Sequence, residues 1–142
     1  MRERFGPEYD RAVRDAGSAE KAETMLAERA RRVKTLKIHP LSHEQVDTFA
    51  REWHRVQAMF VDDPDGAVAA ADRLVTEVMT ARGYPIEDFE ARAADLSVQH
   101  PRVVENYRIA RALSTRRERG EAATEELRQA VVTSFFERLL SI

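Results

Sequence analysis

The segment Leu41-Ser42-His43-Glu44-Gln45-Val46-Asp47-Thr48-Phe49-Ala50-Arg51-Glu52-Trp53-His54-Arg55-Val56-Gln57-Ala58-Met59-Phe60-Val61-Asp62-Asp63-Pro64 holds the start of one helix, its end, and the start of the next. Ser42 can cap the first turn, Gln45 can reach back as its capping-box partner, and Leu41 can staple onto Val46. From there Val46, Phe49, Trp53, Val56 and Phe60 recur at intervals of three and four residues, which places them on one helical face. Asp63 suits the cap of the following helix, Pro64 its first position, and Asp65 its positive end. That next helix carries Ala67, Val68, Ala71, Leu74, Val75, Val78 and Met79 as a second stripe, and Gly83 followed by Pro85 supplies the stop. With about three residues between them, the two helices should fold back antiparallel, stripe against stripe, at the centre of the fold.

Reading toward the C-terminus, the spacing predicts a short helix over Ile86 to Leu96, anchored by Phe89 and Leu96. Pro101 then opens a helix, with His100 as cap, that presents Val103, Val104, Tyr107, Ala110 and Leu113 and breaks near Gly120. A last one begins near Thr124, with Leu127, Val131, Phe135 and Leu139 inward. Nowhere does the chain alternate apolar and polar residues long enough to argue for a strand. The expected class is therefore all-α: residues 41–142 form a helical bundle centred on the hairpin, and residues 1–40 form a charged N-terminal helical arm. Ile38-His39-Pro40 marks the boundary, because the residue before a proline is pushed out of helical geometry. The arm's apolar face is thin. Ala19, Ala22, Leu26, Val33 and Leu36 fit a seven-residue repeat, but Arg29 occupies the sixth seam position. Docking on the bundle, pairing with a second chain, and projecting into solvent are all open to it.

The 142 residues suit one domain, and 34% charged against 43% hydrophobic residues excludes both a disordered chain and one buried in lipid. There is no cysteine, which removes disulfides, thiolate metal sites and cysteine nucleophiles. No apolar run approaches the ~18 residues that span a bilayer, and no signal-peptide core follows Met1. The net charge of -2 divides unevenly: +3 over residues 1–41, -7 over 42–96 and +2 over 97–142.

Few motifs carry chemistry. Aligning Gly66 with the glycine of a calcium loop puts Asp63, Asp65 and Asp72 at ligand positions, but Val61 at the first one and Pro64 inside the loop, so helix capping accounts better for these residues. His39, His43, His54 and His100 form no metal-ligand pattern, and Pro40 breaks the helix that would align the first two. No nucleophile elbow, phosphate-binding glycine loop or dinucleotide fingerprint occurs, so no catalytic residue, cofactor or metal ligand is assigned. Glu87 with Glu90, and Asp88 with Arg92, read as a solvated charged face, and Trp53 reads as core.

The strongest local charge signal is Arg29, Arg31, Arg32, Lys34 and Lys37, nine residues without an acid. At a helix C-terminus these cations complement the dipole. They are also the candidate contact for an anionic surface, whether lipid or nucleic acid. The pI of about 6.1 and the lack of interleaved aromatics argue against nucleic acid. Arg116, Arg117 and Arg119 make a second basic end with the same dipole account.

The segments Arg4-Phe5-Gly6-Pro7-Glu8-Tyr9-Asp10-Arg11, Trp53 to Pro64, Ala71-Asp72-Arg73-Leu74-Val75, Arg82-Gly83-Tyr84-Pro85, Asp95-Leu96-Ser97-Val98, His100-Pro101 and Tyr107-Arg108 together resemble an uncharacterised family of small bacterial proteins. Many of its members have one transmembrane helix just before an R-F-G-P-E-Y-D segment. The resemblance implies a bacterial source and a tether at the cytoplasmic face, with Arg2 and Arg4 on the positive-inside side; it implies no activity. The leading expectation is a non-enzymatic interaction or adaptor domain, cytoplasmic, at the inner face of the bacterial membrane. Its partners would be an unknown protein, a second copy through the arm, or an anionic membrane surface. Two rivals stand beside it: a soluble regulator binding nucleic acid or anionic lipid through Arg29 to Lys37, and a small-molecule binder or enzyme with a pocket near Trp53 or Tyr107.

Overall fold

In the computed structural model the hairpin forms as the capping chemistry dictates. The structure describes residues 1–118 and 125–141, with side chains of 113–129 left aside, and among the described residues there are eight helices and no strand. These are α1 (Arg2–Phe5), α2 (Pro7–Ala16), α3 (Ala19–Lys34), α4 (His43–Asp62), α5 (Pro64–Ala81), α6 (Phe89–Gln99), α7 (Pro101–Glu118) and α8 (Glu125–Ser141). Ser42 Oγ accepts from the Gln45 N–H, and the Gln45 side chain accepts from the Ser42 N–H, completing the capping box at the head of α4. Only Asp63 separates α4 from α5, and its carboxylate accepts from the Gly66 N–H. The bundle is all-α, as the periodicity demands.

One apolar cluster fills its centre: Trp53, Val56 and Phe60 from α4, the α5 stripe from Ala67 to Met79, Leu96, Val103, Val104 and Tyr107, and Val132, Phe135, Phe136 and Leu139 from α8. Trp53 is core, stacked on Phe136 with ring centroids 4.5 Å apart, and Phe135 stacks on Tyr107 at 4.8 Å. On α8 Phe135 and Leu139 are buried as expected, and Val132 and Phe136 join them, while Val131 is only half-buried. Leu113, Leu127, Arg116, Arg117, Arg119 and Gly120 lie outside the described side chains. Helix α6 starts later than the expected Ile86. Asp88 caps it by accepting from the Ala91 N–H, which leaves Ile86 in the preceding turn, 82% exposed.

The first three helices form a second cluster, with Phe5, Tyr9, Ala12, Ala22, Leu26, Ala30 and Val33 closed over by Val98 of α6. On α3 the buried positions run 22, 26, 30 and 33, and Ala19 is exposed. That is the stripe of a single helix packed on globular neighbours, and the seven-residue reading gives way to it. The face is occupied within the chain, by α2 and α6. Of the three roles open to the arm, the structure shows docking.

The connection from α3 to α4 is pinned between the clusters. Ile38 packs against both, and the His39 N–H donates to the Arg82 carbonyl at 2.8 Å. Gly83 makes this approach possible. Its φ is +101°, and a Cβ there would lie 2.3 Å from the Lys37 carbonyl oxygen, a backbone atom that cannot swing aside. Gly17 has a similar φ of +87° with open space around it. Gly17→Ala should therefore cost about 1 kcal/mol, the conformational penalty alone, and Gly83→Ala should cost at least about 1 kcal/mol more. Urea denaturation of the two variants side by side checks the order.

Candidate functional site: the ionic seam between arm and bundle

Buried charge gathers where α2 and α3 meet α6 and α7. Glu8 follows Pro7 in the first turn of α2, beside the buried Tyr9 and one turn before Ala12, so packing those apolar neighbours carries its carboxylate inward. Its side chain is 4% exposed. Arg108 of α7 meets it in a two-pronged pair, Nε to Oε2 and Nη2 to Oε1, both 2.9 Å. Arg29 of α3 donates from Nη1 to the same Oε1 at 3.1 Å and to Ser97 Oγ of α6 at 3.2 Å. Ser97 in turn donates to the Ala94 carbonyl. Arg108 also reaches Glu90 through Nη1, and Arg11 of α2 approaches the same carboxylate at 3.5 Å. Glu8 thus ties three helices together, and its two arginines extend the network to α6.

Burial by itself would raise the pKa of Glu8, but the hydrogen bonds and charge of Arg108, and then of Arg29, outweigh it and hold the carboxyl below its ordinary value. For Arg108, burial pulls down while Glu8 and Glu90 pull up more strongly, so the guanidinium stays charged.

A second cluster lies further along α3. The Arg32 guanidinium donates to both oxygens of Asp95, at 3.0 and 3.3 Å, and to Glu87 Oε2 at 2.8 Å. Asp95 is 2% exposed. Two carboxyl groups therefore face one arginine. Beside them the Tyr84 hydroxyl is buried without a partner among the described residues, and burial followed by the Asp95 charge pushes it up to about 12, against the opposing pull of Arg82.

The five cations of the candidate anionic contact are thereby divided. Arg29 turns inward, bonded to Glu8 and Ser97, and Arg32 is tied to Asp95 and Glu87 although its side chain stays 52% exposed. Arg31, Lys34 and Lys37 stay exposed, with no ion pair among the described residues. The expected solvated face over Glu87 to Arg92 holds in part: Asp88 and Glu90 are exposed, whereas Glu87 and Arg92 are not. Glu87 and Glu90 hold arginines across helices, and Arg92 is buried, bonded through Nη1 to Thr76 Oγ1. A charge set within an apolar stripe was the available signal: Arg29 interrupts the α3 seam, and Glu8 lies between Phe5 and Ala12. The partners, as many as 100 residues away, leave no local trace.

Other candidates are modest. A cleft of about 50 Å³ beside Tyr107 is lined by Val68, Val75, Phe89, Ala110 and Phe135, with Asp72 and Arg111 among its lining residues. Drug-sized ligands occupy roughly 300–1,000 Å³. The Tyr107 hydroxyl is buried without a partner among the described residues and is pushed up to about 12 by burial. A hollow of about 350 Å³ between the α1–α2 turn and α7 and α8 sets Glu3 and Glu105 against Arg102 and Arg138, all exposed. The histidines are not gathered, and among the described residues no group of three or more His, Asp or Glu side chains could hold a metal ion. Among these residues, too, no helix is long and apolar enough to cross a membrane. No protein-family model, curated protein or solved structure matches the chain.

Removing one partner of a buried ion pair leaves the others uncompensated, which typically costs about 3–5 kcal/mol. Glu8→Gln should lose roughly 3 kcal/mol, because two arginines are stranded but the amide oxygen still accepts a bond. The sign with pH follows from the lowered pKa: Glu8 contributes its full stability above about 4.5, the unfolded value, and loses it as pH falls through the lower folded value. Acid denaturation of the wild type against Glu8→Gln, followed by circular dichroism, should show the variant's acid limb flattened.

Proposed function

We propose that the protein is a non-enzymatic helical interaction module that meets its partner through the outer, basic end of α3, at the cytoplasmic face of a bacterial membrane. The observation that carries this reading is the division of the five cations. Arg29 and Arg32 anchor α3 to α2 and α6, so the helix is held in a set orientation, and Arg31, Lys34 and Lys37 are left in water, unpaired among the described residues, at its C-terminal end and just beyond. A pre-oriented row of charges loses little freedom on meeting a complementary surface. Cations at the rim of a contact act mainly on encounter rate and salt dependence, which suits an adaptor that engages and releases.

The occupant that fits is an acidic face of a partner protein. The triple variant Arg31→Gln, Lys34→Gln, Lys37→Gln touches no ion pair in the fold and should melt within ~2 °C of wild type, as surface changes generally do. Capture of one acidic protein from a bacterial lysate on the immobilised chain should weaken with salt and be lost in the triple variant, and cross-linking of the wild type, read by mass spectrometry, should place that protein at Lys34 and Lys37. Binding instead to phosphatidylglycerol vesicles, at ~1 kcal/mol per basic residue, would move the assignment to a lipid surface. Capture unchanged in the triple variant would overturn it.

A further inference from the structure

We propose that Glu87, Asp95 and Arg32 form a proton-dependent clasp, which holds α3 on α6 tightly while Glu87 carries a proton and loosens when Glu87 ionises. This goes beyond the partner reading and does not depend on it, since it concerns only the docking of the arm.

The geometry sets up the conflict. Arg32 is shared between two carboxyl groups, Asp95 on one side and Glu87 on the other, and among the described residues no other cation bonds to either of them. Glu87 is 14% exposed, and its Oε1 is buried with no donor on it among the described residues. A bare carboxylate in that position lacks a partner for one oxygen and faces a second negative charge. A proton on Glu87 resolves both faults, because the resulting O–H can donate to Asp95, leaving one carboxylate for one guanidinium. Burial first, then the hydrogen bond and charge of Asp95, push Glu87 up to about 7, and Arg32 opposes them.

The surrounding charges do not supply the missing compensation. Asp88, next to Glu87, adds negative charge, and Arg82 is sensed by Tyr84 and by His100 at the α6–α7 junction. From the other elements packed on α6, Arg108 of α7 is engaged with Glu8 and Glu90, and Arg2 of α1 with Asp10. Tyr84 stays protonated throughout this range.

For a carboxyl group raised in the folded state, the contribution is full below about 4.5, the undocked value, and is lost as pH rises through about 7. This is opposite in sign to Glu8, so arm docking is strongest at mildly acidic pH. His100, lowered by burial and then by Arg82, loses its contribution as pH falls below about 6.5 and works against the trend. A variant at Glu87 separates the two.

The full chain has no cysteine, so spin labels at Glu28→Cys on α3 and Glu77→Cys on α5 report arm docking alone. The urea midpoint for their separation should fall between about pH 6 and about pH 8.5, corresponding to at least a tenfold weaker docking constant. Glu87→Gln should remove that dependence, leaving only the shallow opposite slope from His100. Carbon-13 NMR of the unmutated chain should show the Glu87 carboxyl titrating near neutrality, and Asp95→Asn should lower that midpoint by at least one pH unit. A Glu87 midpoint near 4.5, a midpoint unmoved by Asp95→Asn, or wild-type pH dependence retained in Glu87→Gln would each overturn the clasp.

Discussion

A carboxylate taken out of water must find positive charge within hydrogen-bond reach or give up its own. Glu8 meets that demand with Arg108 and Arg29, drawn from helices far apart in the chain. The packing of α1 to α3 follows from it. Their apolar cluster is small, and among the described residues Val98 is its single buried contribution from the bundle, so apolar area alone defines the arm's seat weakly. Ionic bonds with set directions define it well. Such a pair adds little net stability over an apolar replacement, but it penalises every arrangement in which one member is buried alone. The arm thereby has one register on the bundle.

Two different physical regimes meet along α6. Its Ala93 and Leu96 face the bundle cluster, Val98 closes the arm cluster, and Arg92, Asp95 and Ser97 carry the polar contacts between and beside them. Glu8 holds its charge against burial because two arginines outweigh desolvation, whereas Glu87 yields because one arginine is divided between two acids. The ratio of cations to carboxylates decides the outcome in each case.

The hairpin was legible because its information is local. Ser42, Gln45, Asp63 and Pro64 act within one turn, and the stripes from Val46 to Phe60 and from Ala67 to Met79 need only a helix to bring them together. The start of α6 was misplaced by three residues because Ile86 extends the apolar pattern while Asp88 holds the cap. The candidate site was legible only in part. Arg29 was visible as an interruption of the α3 stripe, but its role depends on Glu8 and Ser97, and proximity between residues 8, 29, 97 and 108 is a property of the assembled fold. Glu87 reads as an ordinary surface acid for the same reason, and nothing local to Asp95 marks it as buried. Burial sets the chemistry of both, and burial is not written in their neighbours.

The 100-residue separation of Glu8 from Arg108 bears on how the protein is made. Ribosomes add roughly 5–20 residues per second, so the acid emerges about 5–20 s before its strongest partner does. Through that interval the nascent α1–α3 segment lacks its closing surface, and Glu8 is better left hydrated than enclosed. The arm's seat is complete only once α7 has followed it.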